Sequence, residues 1–80
     1  MMGLVQTLKL GPPEQIISSA PYDVTTTDQA RRDAWRFMRQ LYIEETGIEA
    51  VQIVDGSGEV VTRADVWSVV NAAPGQTELP

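Results

Sequence analysis

Eighty residues with a net charge of −5, no cysteine and no histidine exclude a good deal. A chain of this length buries only about 60% of its unfolded surface, which supports one core and not two. Disulfides and ordinary zinc sites cannot be built, and the side chains most used as nucleophile and general base are missing. The acidic balance opposes nonspecific nucleic-acid binding by the molecule as a whole, although four of its six basic residues fall between Arg31 and Arg39. A hydrophobic content of 42% with 21% charged residues is the composition of a packed fold. No run approaches the roughly 18 apolar residues of a membrane span, and the opening MMGLVQTLKLGPP lacks the basic and apolar regions of a secretory signal. The expectation is a cytoplasmic protein with no membrane partner.

In chain order, residues 3–10 alternate imperfectly, with Leu4, Leu8 and Leu10 to one side and Val5, Thr7 and Lys9 to the other. That is the period of a half-buried strand. Gly11-Pro12-Pro13 ends it. Residues 14–18 carry Ile16 and Ile17 and read either as a short return strand or as a single helical turn started by Pro13, with the strand preferred. Ser18-Ser19-Ala20-Pro21 breaks regularity again, and Tyr22, Asp23 and Val24 lead in extended form to Thr25-Thr26-Thr27.

Residues 27–46, TDQARRDAWRFMRQLYIEET, are the one long stretch with helical periodicity. Ala30, Ala34, Phe37 and Leu41 share a narrow arc that Met38, Tyr42 and Trp35 widen, and this arc is the expected core face. Arg32, Arg36 and Arg39 lie opposite, with Ile43 among them. Thr27 is the expected N-cap, with Asp28 favourably placed in the first turn. Asp28 with Arg32, and Asp33 with Arg36, have the i,i+4 and i,i+3 spacing of pairs that add about 0.2–0.5 kcal/mol each. Glu44 and Glu45 oppose the helix dipole, and Gly47 is the expected left-handed stop, with Ile48 folding back on the last turn.

Residues 49–54 read as a second strong strand, apolar enough to need cover on both sides. Asp55-Gly56-Ser57-Gly58 is a hairpin turn that returns residues 59–61 antiparallel. Thr62-x-x-Asp65 then has the form of a capping box opening a short second helix, with Val66, Val69, Val70 and Ala73 at helical spacing. Residues 64–71 would also pass as a strand. Pro74-Gly75 ends either element. The fold class is therefore α+β: one small domain over residues 1–75, order β(β)αββα, its long amphipathic helix packed on a mainly antiparallel sheet of three or four strands, with residues 76–80 a flexible C-terminal tail.

Candidate chemistry is sparse. Asp23, Asp28 and Asp33 look like a carboxylate series, but helix capping and ion pairing account for the last two. Ser57 lacks both a nucleophile elbow and a histidine. Asp55, Ser57 and Glu59 are spaced like the first ligands of a calcium loop, yet Val60 stands where that loop needs glycine and Val66 where it needs glutamate. The reading is a non-enzymatic protein with no cofactor and no metal site.

Residues from Gly47-Ile48-Glu49 through Gly56-Ser57-Gly58 to Thr62-Arg63-Ala64-Asp65-Val66 resemble the second half of the peripheral subunit-binding domains of 2-oxo-acid dehydrogenase complexes. The resemblance covers a short part of the chain. Gly58-Glu59-Val60 replaces that family's glycine-glycine-arginine loop and the preceding helix is far too long for its fold, so the likeness implies only a helix beginning at T-R-A-D-V after a glycine-bearing turn. The order helix, hairpin, helix is similar in topology alone to small phage head-joining proteins.

The arginine stripe is the functional candidate. A charged outer face is ordinary for an amphipathic helix, but all three positions are Arg, which grips planar carboxylates and phosphates better than Lys. Ile43 in the same arc adds an apolar anchor. The leading expectation is a protein-binding module, accessory, inhibitor-like or assembly protein, that docks an acidic partner protein through Arg32, Arg36, Arg39 and Ile43. A homo-oligomeric assembly subunit joined through an exposed edge at residues 3–10 and an exposed hairpin is the alternative, and nucleic-acid contact by the stripe ranks below both.

Overall fold

In the computed structural model, which describes residues 1–79, the order is β1 (Met2–Lys9), β2 (Gln15–Asp23), α1 (Thr27–Ile43), β3 (Ala50–Val54), β4 (Val60–Asp65) and α2 (Val66–Val70). The four strands form one antiparallel sheet in the order β2-β1-β3-β4. The α+β architecture follows the strand and helix periods of the sequence, with several differences in extent. No helix among the described residues is long and apolar enough to cross a membrane.

The return strand β2 is real and much longer than residues 14–18, continuing through Ser18-Ser19-Ala20-Pro21, where a break is expected. Its position explains this. Met2 pairs with Asp23, and the Val24 N–H donates to the Met1 carbonyl at 2.7 Å. Hydrogen-bonded and non-bonded pairs alternate along an antiparallel ladder, so Pro21, opposite Leu4, needs no N–H toward β1. Its missing donor faces the outer edge of the sheet, the one place a strand tolerates proline. In consequence β1 lies in the interior of the sheet between β2 and β3. The exposed edge expected at residues 3–10 does not exist, and the free edges belong to β2 and β4.

The long helix is capped one residue earlier than expected. Thr26, not Thr27, accepts from the Gln29 N–H at 3.0 Å. No Asp28–Arg32 ion pair forms within 4 Å among the described residues. At the other end the helix stops at Ile43, short of residue 46, and Glu45 rather than Gly47 is the first left-handed residue, at φ 56°. The Glu45 N–H donates to Tyr42 O at 3.1 Å and the Thr46 N–H to Leu41 O at 3.2 Å, the paired bonds of a Schellman end. Gly47, at φ 79°, comes two residues later and turns the chain toward β3.

The second helix is also shorter than its sequence signal. Thr62 and Arg63 belong to β4, so the expected capping box does not form. Instead Asp65 ends the strand and caps the helix, its side chain accepting from the Ser68 N–H at 3.0 Å while the Ser68 hydroxyl donates to Asp65 O at 2.8 Å. The two readings of residues 64–71 are thus each right for part of the segment.

Core packing selects a face of α1 turned from the expected one. Ala30, Ala34, Trp35 and Met38 are buried against Val51, Ile53, Ala64 and Val69, while Phe37 and Tyr42, both expected in the core, are 42% and 47% exposed. For Phe37 the cause is α2, which packs on the Trp35 side of α1 and takes the Trp35 indole N–H onto the Ser68 carbonyl at 3.4 Å; Tyr42 shares the line of Trp35 two turns on and is exposed because it stands past Met38, the last buried residue of the helix. Near its N-terminus α1 is tied to the sheet edge, where the Tyr22 hydroxyl donates to Asp33. As a whole α1 lies chiefly over β3 and β4. A groove of about 260 Å³ is left between its Phe37 and Leu41 and the β1–β2 floor of Val5, Thr7, Ser18 and Ala20.

The opposite sheet face has no helix over it. Across its middle runs a ladder of side chains from all four strands, in register. Gln6 Nε2 donates to Ser19 Oγ at 3.2 Å, Gln52 Nε2 donates to Gln6 Oε1 at 2.7 Å, and Arg63 donates to Gln52 Oε1 at 2.8 Å. The Arg63 guanidinium then reaches Glu14 with two bonds of 3.1 and 2.8 Å. Gln6 and Gln52 are buried, and the ladder satisfies them, as buried amides require.

Candidate protein-docking surface

The outer face of α1 carries the residues singled out from the sequence. Helical spacing keeps Arg32, Arg36, Arg39 and Ile43 on one line, and each has its own surroundings. Arg32 is exposed and has no ion pair among the described residues. Arg36 reaches forward to the last part of the chain: its Nε and Nη2 donate to Glu78 Oε2 at 3.1 and 2.6 Å. Asp33 stands 3.9 Å away on the same helix. The Glu78 hydrogen bond, then its charge, holds the Arg36 guanidinium protonated even more firmly than usual. Arg39 is half-buried, and its Nε donates to the Gln76 carbonyl at 3.1 Å.

Residues 76–79, expected as part of a free tail, therefore lie along α1. Internal bonds shape this segment: the Ala73 N–H donates to Gln76 Oε1 at 3.1 Å and Gln76 Nε2 to the Glu78 carbonyl at 2.7 Å. Leu79 packs against the core cluster. Pro80 lies outside the described residues.

Beyond Arg39, the helix and the chain after α2 enclose a cleft of about 230 Å³. Arg39, Tyr42 and Ile43 line it on the helix side, with Ala72, Ala73 and Pro74 among the residues opposite. Ile43 is 54% exposed. Tyr42 also lines the neighbouring hollow that Leu41 and Ile48 form with Val66, so it stands between two depressions. The surface thus joins Arg39 and Ile43 to Tyr42, which the periodicity assigned to the core, and leaves Arg32 at the far end of the helix. The apolar spacing alone gave no signal for the exposure of Tyr42, because that depends on where the core ends along the helix. The docking of residues 76–79 had a faint one: the acidic-aliphatic pair Glu78-Leu79, set against a run of arginines.

The other candidates are absorbed by local structure. Asp55 Oδ1 accepts from the Ser57 N–H and hydroxyl at 2.9 and 2.7 Å and from the Glu59 N–H at 3.0 Å. The Ser57 hydroxyl first, then the Glu59 amide, hold the Asp55 carboxyl below the usual range. This is a polar hairpin turn closing β3 onto β4, with Gly58 N–H on Asp55 O at 3.0 Å. Among the described residues no group of three or more His, Cys, Asp or Glu is gathered as metal ligands would be.

Fold and surface define a small α+β domain with an amphipathic helix whose outer face is basic at its centre and apolar at its end. No family model matches the chain, and neither a curated protein nor a solved structure matches it.

Proposed function

We propose that this chain is a non-enzymatic protein-binding module that docks an acidic partner protein on the outer face of α1. The observation that carries the reading is the grouping at the end of that helix. Tyr42 and Ile43 are about half exposed and border a cleft beside a half-buried Arg39 whose guanidinium is already held in place. Tyr and Arg are the residue types that dominate binding energy when they sit together in a well-packed patch, and an aliphatic neighbour supplies an anchor. Arg32, which has no ion pair among the described residues, extends the surface as a basic rim that steers an acidic partner, and Arg36, paired with Glu78, lies between.

The test is capture from lysate of the source cell, with nuclease present, using wild type, Ile43→Asp and Arg32→Ala as bait and Glu14→Gln as a control. Glu14 is exposed and pairs with Arg63 on the sheet face opposite α1. A partner kept by wild type and the control, and lost with Ile43→Asp and reduced with Arg32→Ala, supports the placement. Equal retention by all four baits refutes it.

A second reading, a homo-oligomeric assembly subunit, is favoured by the groove over β1 and β2. No charged residue lines it, and Phe37 projects at its rim. Sedimentation at rising concentration separates the two readings, because a subunit of this kind associates through Phe37 and Phe37→Ser stops it.

A further inference from the structure

The outer face of α1 already holds a peptide, and that peptide is part of the same chain. Residues 76–79 meet the helix through three kinds of contact. A carboxylate, Glu78, takes two guanidinium donors from Arg36. A backbone carbonyl, that of Gln76, takes the Nε–H of Arg39. An aliphatic side chain, Leu79, rests on the edge of the core. The first contact selects charge, the second accepts a backbone carbonyl without regard to side chain, and the third selects an apolar residue directly after the acid.

The hold is light. Both partners of the Arg36–Glu78 pair are about half exposed, at 47% and 59%, and pairs of this kind are screened by salt and contribute little. The segment joins the domain through Pro74 and Gly75, the latter at φ 80°, with both residues exposed. A segment with these contacts shows what chemistry the face accepts without being an irreplaceable part of the core.

We infer that the docking face seats an acidic peptide segment in which a glutamate is followed by an aliphatic residue, and that residues 76–79 are a built-in copy of this ligand that a partner's segment displaces. The inference rests on the docking reading above and adds to it the class of partner and a limit on access. While the internal segment is seated, Arg36 and Arg39 are occupied, and a partner must compete with a ligand tethered at high effective concentration.

The test is an NMR titration of the full chain, wild type and the Glu78→Gln/Leu79→Ser variant, with the blocked peptide Gln-Thr-Glu-Leu-Pro. The backbone spectrum of the variant reports that it remains folded. The Nε–H resonances of Arg36 and Arg39 should shift saturably in the variant, with a Kd about tenfold or more below that of wild type once the tethered competitor is released. The same peptide with Gln in place of Glu should bind several-fold more weakly, and Arg36→Ala added to the variant should weaken binding of the acidic peptide. No saturable shift in the variant, or equal affinity for wild type and variant, overturns the inference. The two failures are separable. If Ile43→Asp abolishes partner capture while the peptide leaves the variant unshifted, the docking face stands and the peptide assignment falls; if the peptide binds as described while capture is indifferent to Ile43 and Arg32, the seat stands and the wider docking reading falls.

Discussion

Replacing Gln6 and Gln52 by leucine, singly and together, tests how the sheet face turned from the helices is held. Gln52 is 6% exposed and Gln6 9%, and the 2.7 Å bond between their amides is one of a continuous set from Ser19 to Arg63. Gln52→Leu leaves Gln6 Oε1 without a donor where water scarcely reaches; Gln6→Leu strands Gln52 Nε2 in the same way. Each single change should cost about 1–3 kcal/mol, the penalty of a buried polar group deprived of its partner. The double change removes both amides and puts two aliphatic side chains beside Leu8 and Val54, which share this face. It should be close to neutral, since replacing both partners by apolar groups of similar shape leaves nothing unpaired. Arg63 keeps its two bonds to Glu14 throughout. Urea denaturation followed by the fluorescence of buried Trp35 measures the cycle, and for a domain of this size about 1 kcal/mol moves the melting midpoint by roughly 4–8 °C. A double variant as unstable as the sum of the two singles would refute the reasoning.

Four further outcomes follow from local geometry. Glu45→Gly should stabilise the domain by about 0.5–1 kcal/mol, because it relieves a left-handed backbone cost of roughly 1–2 kcal/mol against a smaller gain in unfolded-chain freedom; a lower denaturation midpoint contradicts this. Gly3→Ala should destabilise by about 1–3 kcal/mol or more, since a Cβ there would stand 2.0 Å from the Val54 carbonyl oxygen; an unchanged midpoint means that β1 and β3 can separate freely at that point. Burial first, then the hydrogen bond to Asp33, push the Tyr22 hydroxyl up to about 12. The folded state therefore keeps a proton that the unfolded state gives up from about pH 10, so Tyr22 contributes stability that is fully present below pH 10 and is lost as pH rises toward 12. Titration of tyrosinate absorbance in Tyr42→Phe reads the raised midpoint directly, and Tyr22→Phe should flatten this part of the stability profile. Pro21→Thr restores a donor to the outer edge of β2 and should promote concentration-dependent association by strand pairing; sedimentation identical to wild type at the highest concentration counts against that role for the proline.

Much of the fold was legible because it depends on short-range periodicity. The alternation in residues 3–10, the apolar strand at residues 49–54, the Asp-Gly-Ser-Gly turn and the helical spacing from Ala30 to Leu41 each carry their structure locally. Misreadings fell where a residue's meaning depends on its neighbours in space. Pro21 looks like a strand breaker until its missing N–H is seen to face an edge. Thr62 looks like a cap until the hairpin from β3 extends far enough to claim it. Phe37 looks like a core residue because the sequence specifies an apolar arc wider than one sheet can cover, and only the position of α2 decides which part is buried; Tyr42 looks like one because it shares the line of Trp35, and only the tertiary structure ends the core before it. The proposed site divides in the same way: Arg32, Arg36, Arg39 and Ile43 share a line by helical spacing alone, whereas Tyr42 and residues 76–79 join that surface through tertiary packing.

By itself the sequence determined the class of fold, the long amphipathic helix with its arginine face, and the exclusion of histidine and cysteine chemistry. These follow from composition and from patterns that repeat within one element. The tertiary structure alone decided the strand order β2-β1-β3-β4, which side of α1 is buried, the side-chain ladder that crosses the sheet from Ser19 to Arg63, and the seating of residues 76–79 on Arg36 and Arg39. Each joins residues far apart in the chain, and such a choice is made by burial and hydrogen-bond satisfaction across elements that no local pattern encodes.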